Sequence, residues 1–162
     1  DTDQPDPELA YVAIYLDIEH AIGGSSEYAR AKRIVLARVE KGGKLDRTGI
    51  LDIPSRQPVL LKLEPGLYYL ARLEFHSNGW QENYHPRLYL FTATAGKLNF
   101  PGVWHITGAW GGDNSVYARN WTTATPDDLL KVSGAFPKLS AALPIELTRV
   151  IAPDPPATGN SQ

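Results

Sequence analysis

Residues 63–75 combine a Pro-Gly pair with a strand of alternating polarity, and this pattern constrains the fold more than any other part of the chain. Pro65 presets the φ angle of an inner turn position, and Gly66 can take the positive φ that a type II turn needs next. The apolar residues that follow share one face of a strand: Leu67, Tyr69, Ala71, Leu73 and Phe75. Because Tyr68, Arg72 and Glu74 point the other way, the segment predicts a strand with one face in a hydrophobic core.

Strands of this kind recur along most of the chain. The first places Ala10, Val12, Ile14, Leu16 and Ile18 on one face and Tyr11, Tyr15, Asp17 and Glu19 on the other. Further strands are predicted over residues 33–41, 50–53, 59–63, 87–95, 98–110 and 115–122, with a loop at 23–26 and a bend at Pro101 and Gly102. Because turns separate these strands every dozen or so residues, the sequence predicts an all-β fold, an antiparallel β-sandwich of about seven or eight strands.

One segment near the C-terminus departs from the β pattern. Thr125 can cap a helix, Pro126 suits the first helical position, and Asp127 and Asp128 fall in the first turn, so a short helix ending near Gly134 is expected. Residues 136–144 are expected to be irregular or a single turn, and residues 145–151 a last strand or an extended tail. The predicted organisation is a disordered leader over residues 1–8, a single domain over 9–152 and a flexible tail over 153–162.

Composition removes several classes of function. The chain has 162 residues, a net charge of −2 and no cysteine. Because its net charge is not positive, the protein is not expected to bind nucleic acid. Because it has no cysteine, it has neither disulfides nor thiolate metal sites. The polar, proline-rich start looks like material that follows a removed export signal, so we expect an exported protein.

Three segments carry a resemblance to a known group of proteins. LEPGLYYLARLEF is similar to a recurring proline-glycine-x-tyrosine strand, LYLFTATAGKLNFPGVWHI looks like the hairpin after it, and TPDDLLKVSGAFPKL resembles a closing helix start. These features resemble bacterial exported β-sandwich proteins, often lipoproteins, with transthyretin-like or carboxypeptidase-regulatory-like topology. The resemblance implies a periplasmic or outer-membrane-tethered location, with any lipid anchor outside this sequence.

The loop at residues 76–86 holds the candidate binding residues His76, Trp80, Tyr84 and His85. An indole in a polar loop has no assured place in a core, so Trp80 either contacts a partner or anchors its own loop. Trp104 and Trp110 share one face of a predicted strand, where a place in the core is favoured over an exposed binding face.

The titratable residues show no catalytic or metal-binding pattern. The histidines, His20, His76, His85 and His105, lack the spacing of a ligand pair, so neither a metal site nor a cofactor is predicted. Asp127 and Asp128 are explained by helix capping, whereas Asp17 and Glu19 are expected on a solvated strand face. No nucleophile motif is present, and the chain is not expected to be an enzyme.

Two functions follow from these residues. The first is an accessory protein of the cell envelope that binds another protein through a sheet edge or a loop surface. The alternative is a module that binds a small ligand or a glycan through the loop at 76–86.

Overall fold

Strands make up most of the protein, which confirms the β-rich class that the sequence predicts. The computed structural model describes residues 2, 4–22, 25–28, 31–39, 45–75, 81–83, 89–109, 116–148 and 150. In chain order the strands are β1 (Ala10–Ile22), β2 (Ser25–Tyr28), β3 (Ala31–Val39), β4 (Leu45–Ile53), β5 (Val59–Leu63), β6 (Gly66–Phe75), β7 (Gln81–Asn83), β8 (Leu90–Ala93), β9 (Leu98–Phe100), β10 (Val103–Ala109), β11 (Val116–Thr122) and β12 (Ile145–Leu147). Two helices, α1 (Pro126–Ala135) and α2 (Pro137–Ala142), lie between β11 and β12.

The strands form two sheets, one of which is mixed. The first follows the order β11-β10-β1-β9-β12, with β2 and β5 also paired to β1. The second follows β4-β3-β6-β7, with β8 also paired to β6, and its described pairs are antiparallel. In the first sheet β1 runs parallel to β9 and β10, and β12 runs parallel to β9. The expected purely antiparallel arrangement is therefore not found. The sequence pattern did not reveal the parallel pairs, because alternation along a strand carries no information about the direction of its neighbours.

Several local expectations also change. Ser25 and Ser26, expected in a loop, lie in β2 because they pair with the end of β1. The long loop at 76–86 contains the short strand β7, and residues 137–142 form a second helix. The bend at Pro101 and Gly102 is confirmed, since it separates β9 from β10. Gly102 has a φ of 100°, and a Cβ there would lie 2.4 Å from the backbone oxygen of Thr122, so glycine is required.

Strand β1 is buried on both faces. Alternate residues of β1 enter a core that is shared by the two sheets: Ala10, Val12, Ile14, Leu16 and Ile18. On the other face Tyr11, Ala13 and Tyr15 pack in a second cluster with Val132 and Leu139 of the helices. The sequence pattern placed Tyr11 and Tyr15 on the outward face, and the helices cover that face because their apolar side chains need a partner surface.

The register of β6 differs from the predicted one in its first half. Val35 pairs with Arg72 and Leu36 with Leu70, so Ala71 is an extra residue in a β-bulge. The bulge reverses the alternation, and Tyr68 and Leu70 join Leu73 in the shared core, while Leu67 is 37% exposed. The expected type II turn is also wrong, because Gly66 does not have a positive φ.

This register predicts opposite results for two neighbouring leucine positions. Leu70→Ala removes a side chain that is 1% exposed and should lower the free energy of unfolding by about 2–5 kcal/mol. Leu67→Ala trims a surface residue and should cost less than about 1 kcal/mol. Urea denaturation of both variants checks this, and a reversed order of the two losses would contradict the bulge.

Asn99 joins three segments of the chain through its buried side chain. Its amide nitrogen donates to the backbone oxygens of Tyr11 (3.1 Å), Thr94 (3.0 Å) and Lys97 (3.2 Å). Its side-chain oxygen accepts from the Thr94 N–H at 2.9 Å. Because Asn99 is fully buried, this amide fixes the turn between β8 and β9 against β1.

Asn99→Asp should be strongly destabilising although it preserves the shape of the side chain. At neutral pH a carboxylate would face three carbonyl oxygens that have lost their donor, and we expect a loss of about 3 kcal/mol or more. Chemical denaturation measures this loss. A loss below about 1 kcal/mol would mean that the Asn99 hydrogen bonds contribute little to the fold.

Candidate ligand-binding cleft

The four residues predicted to form a site, His76, Trp80, Tyr84 and His85, lie outside the described residues, as does Trp110. His20 lies in β1, and His105 lies on β10. Trp104 is 2% exposed within the shared core, as favoured from the sequence, although its indole N–H has no hydrogen-bond partner among the described residues. Among the described histidines and tryptophans, His105 lines a cleft, together with Asp17, Asp127 and Asp128, three of the carboxylates considered from the sequence.

The cleft has a volume of about 350 Å³ and lies where the outer face of the first sheet meets the start of α1. We call it the β1–α1 cleft. Its lining residues are Tyr15, Asp17, Arg56, Val103, His105, Thr122, Thr125, Asp127, Asp128 and Lys131. Its volume is at the small end of the range of ligand pockets, and its walls carry both signs of charge.

One wall is a polar row of four side chains, Arg56, Asp17, His105 and Thr122. Asp17 of β1 lies opposite His105 of β10 in the sheet, and their side chains meet at 3.1 Å, Oδ2 to Nδ1. The other ring nitrogen of His105 lies 2.9 Å from the hydroxyl of Thr122 on β11. Parallel pairing of β1 with β10 and antiparallel pairing of β10 with β11 thus bring together residues that are far apart in the sequence.

Asp17 fixes the direction of its own hydrogen bonds in the row. A carboxylate only accepts, so Nδ1 of His105 carries the proton that the Asp17 oxygen receives. The contact between Nε2 and the Thr122 hydroxyl suits either direction, because a hydroxyl both donates and accepts. In both cases the Thr122 oxygen keeps at least one lone pair for a further contact.

Arg56 is held at the row by a constrained turn. Its Nε donates to Oδ1 of Asp17 at 2.7 Å, and its backbone N–H donates to the Leu16 oxygen at 2.7 Å. The neighbouring Ser55 hydroxyl accepts from the Ile18 N–H at 2.9 Å, so the turn is fastened to β1 at two points. Arg56 has a φ of 61°, a left-handed conformation that is uncommon for a residue other than glycine and that recurs at functional sites.

The opposite wall is the first turn of α1. Thr125 caps the helix as expected, since its hydroxyl accepts from the Asp128 N–H at 3.2 Å while Asp128 accepts from the Thr125 N–H at 3.0 Å. The Lys131 ammonium lies 3.5 Å from Asp128 and 5.4 Å from the ring centre of Tyr15. The capping contacts and the Lys131–Asp128 ion pair are local to the start of α1, and the contact with Tyr15 joins this wall to β1.

Two pKa values on this wall are shifted. Burial raises the pKa of Asp128, but hydrogen bonds from Thr125 and the charge of Lys131 outweigh burial and hold that pKa below its ordinary value of 3.8. A hydrogen bond with the Tyr15 side chain raises the pKa of Lys131, and the Asp128 carboxylate acts in the same direction. Asp128 and Lys131 are therefore both charged at neutral pH.

The arrangement offers fixed hydrogen-bond donors and acceptors on rigid strands and one helix. Among the described side chains, no group of three or more histidines and carboxylates is placed to hold a metal ion. No helix in the described part of the chain is long and apolar enough to span a bilayer. Comparison of the chain with protein-family models, with curated proteins and with solved structures gives no match.

Reasoning from the sequence considered Asp17 and His105 but assigned them other roles. Asp17 was expected on a solvated face, yet its side chain is 24% exposed and bonded on both oxygens. Arg56 and Thr122 were not singled out. The polar row depends on which strands are neighbours, and the one local signal was the change from apolar to polar residues after Tyr15 on the outer face of β1.

The shifted pKa of Asp128 predicts a loss of stability in acid. Because the pKa is lower in the folded state, its contribution is complete above the ordinary carboxyl value and is lost as pH falls through the folded value, below about 4. Asp128→Asn should therefore lower the free energy of unfolding by about 1 kcal/mol at pH 7, and this difference should shrink toward pH 3.

Asp127→Asn is the matched control for this prediction. Asp127 lies in the same helical turn, but its side chain forms no part of the capping box. Urea unfolding at several pH values compares the three proteins. A deficit in Asp128→Asn that is the same at pH 3 and pH 7 would contradict the role of the ionised carboxylate.

Proposed function

We propose that this protein is a non-enzymatic binding module that holds a small polar ligand in the β1–α1 cleft. The observation that carries this proposal is the polar row, in which Arg56, Asp17, His105 and Thr122 line one wall of an open cleft. Three of these side chains are held on strands and Arg56 on a turn bonded to β1, and side chains oriented by one another in this way are suited to bind without rearrangement.

The conformation of Arg56 supports a binding role. A left-handed φ in a residue other than glycine costs about 1 kcal/mol or more, and glycine would take the same turn without that cost. Arginine is therefore a less favourable residue than glycine for the turn itself. Its presence is explained if the guanidinium at the cleft has a role of its own.

The shared contacts of Asp17 favour binding over catalysis. A general base must accept a proton and become an imidazolium, which an adjacent carboxylate stabilises. Asp17 divides its oxygens between His105 and Arg56, so the carboxylate that orients the imidazole is already committed to an ion pair. The row is therefore better suited to hold fixed hydrogen bonds than to move a proton.

A protein partner at a sheet edge is the second candidate, and the position of β11 favours it. Among the described strands β11 pairs with β10 alone, at one edge of the first sheet. A strand with one unpaired side can accept a strand from another chain.

We also propose that the protein is exported to the cell envelope and has a β-sandwich fold. The resemblance in three segments supports both points. A core to which both sheets contribute, for example through Leu16 of β1 and Leu36 of β3, supports the sandwich. Such folds host many functions, so the site and not the fold carries the functional argument.

A screen of small polar compounds tests the cleft. We expect at least one sugar, amino acid, carboxylate or phosphate to shift the NMR amide signals of Asp17, His105 and Thr122. Lys131→Ala should weaken that binding several-fold, because it removes a donor from the wall. Lys138→Ala, an exposed lysine on α2 outside the cleft lining, is the matched control and should change nothing. Shifts confined to residues away from the cleft, or no shifts, would overturn the proposal.

Hydrogen exchange tests the second candidate. A partner captured from an envelope extract and added as a strand should slow amide exchange along β11, residues 116–122, because their free backbone groups become bonded. The far strand β4, at the edge of the second sheet, serves as the internal comparison. Protection that spares β11 would exclude this edge as the contact.

A further inference from the structure

We propose that the ligand of the β1–α1 cleft is a neutral, polyhydroxylated molecule, namely a single sugar ring of a glycoside. This inference rests on the proposed function and specifies its ligand. It depends on three properties of the cleft: the pairing of its charges, the mixture of hydrogen-bond donors and acceptors on its walls, and its small volume.

The charges of the cleft are already paired. Arg56 lies against Asp17 at 2.7 Å, and Lys131 lies 3.5 Å from Asp128, so each cation has a carboxylate partner on its own wall. An anionic ligand would have to compete with Asp17 or Asp128 for its cation and would meet Asp127 at the same rim. A hydroxyl group can add a hydrogen bond to either ion pair without breaking it.

The hydrogen-bond directions suit groups that both donate and accept. The Thr122 oxygen presents at least one lone pair beyond its contact with His105, whichever of the two groups donates. The Asp127 carboxylate accepts, and it makes no side-chain hydrogen bond within the described residues. The Lys131 ammonium donates from the opposite wall. A set of adjacent hydroxyls, each a donor and an acceptor, matches this mixture better than a carboxylate, which only accepts.

The apolar side chains of the cleft lining are almost fully buried. Val103 is 3% exposed and Tyr15 is 4% exposed, and both also belong to the cluster beneath the helices. They offer a ligand little apolar surface, so a ligand of this cleft must bind mainly through its polar groups. A volume of about 350 Å³ leaves room for one ring and its ordered waters more readily than for an oligosaccharide.

Binding measurements with defined probes test this inference on the full chain. Methyl glycosides of glucose, galactose, mannose and N-acetylglucosamine are titrated separately at millimolar concentrations. Each titration is monitored through the NMR amide signals of His105 and Thr122. Glycine, acetate and inorganic phosphate are the comparison probes. We expect at least one glycoside to bind at the cleft with a Kd on the order of 1 mM.

Thr122→Val is the decisive variant, because it keeps the shape of the side chain and removes the hydroxyl. Binding of the glycoside should weaken about tenfold, because the variant lacks the Thr122 oxygen that accepts a hydrogen bond from the ligand. Thr92→Val, at an exposed threonine of β8, is the matched control and should bind as the native protein does. Thermal unfolding checks that each variant folds, and Lys131→Ala, at an exposed position, provides a second probe of the same site.

Each outcome decides the inference. A glycoside that binds equally to the native protein and to Thr122→Val would overturn it. If acetate, phosphate or glycine binds at the cleft and no glycoside does, the sugar ligand is excluded while the proposed binding function stands. If no probe shifts the cleft signals, the inference fails, and the wider compound screen then decides the proposed function separately.

Discussion

The burial of β1 on both faces is the constraint on which the rest of the structure depends. Its thirteen residues pair with β2, β5, β9 and β10, and its side chains enter the shared core on one face and the helix-covered cluster on the other. A strand that has neighbours on both edges and cover on both faces leaves little freedom for the elements around it. The Ser55–Arg56 turn fastens to β1 at Leu16 and Ile18, between its pairings with β5 and β2.

The cleft arises where this double burial stops. On the outer face of β1, Tyr15 is the last residue beneath the helices, and Asp17 is the next residue on that face. A carboxylate at the margin of an apolar cluster needs hydrogen-bond partners, and Arg56 and His105 supply them. The site is therefore a product of the packing around β1: the elements that bury its first half bring the polar row and the first turn of α1 together beside its second half.

Local patterns determined which parts of this structure the sequence could predict. Alternation located β1 and β5, the turn signals around residues 33–41 and 115–122 located β3 and β11, and Thr125 with the two acids after Pro126 located α1. Each of these signals depends on residues close together in the sequence. The β6 register was missed because the bulge at Ala71 is set by its pairing with β3. The parallel pairing of β1 with β10 and the row from Arg56 to Thr122 depend on neighbours distant in sequence, which a single sequence does not specify. The candidate residues His76, Trp80, Tyr84 and His85 remain predictions.

The position of β1 in the chain also has a consequence for biogenesis. Every described strand that pairs with β1 follows it in the sequence, and β10 begins at Val103. During synthesis β1 therefore leaves the ribosome long before its last partner exists, as an apolar strand with open edges. Pairings of such large sequence separation also form slowly. The segment that organises the finished protein thus acquires its complete set of neighbours only after residue 103 has been made.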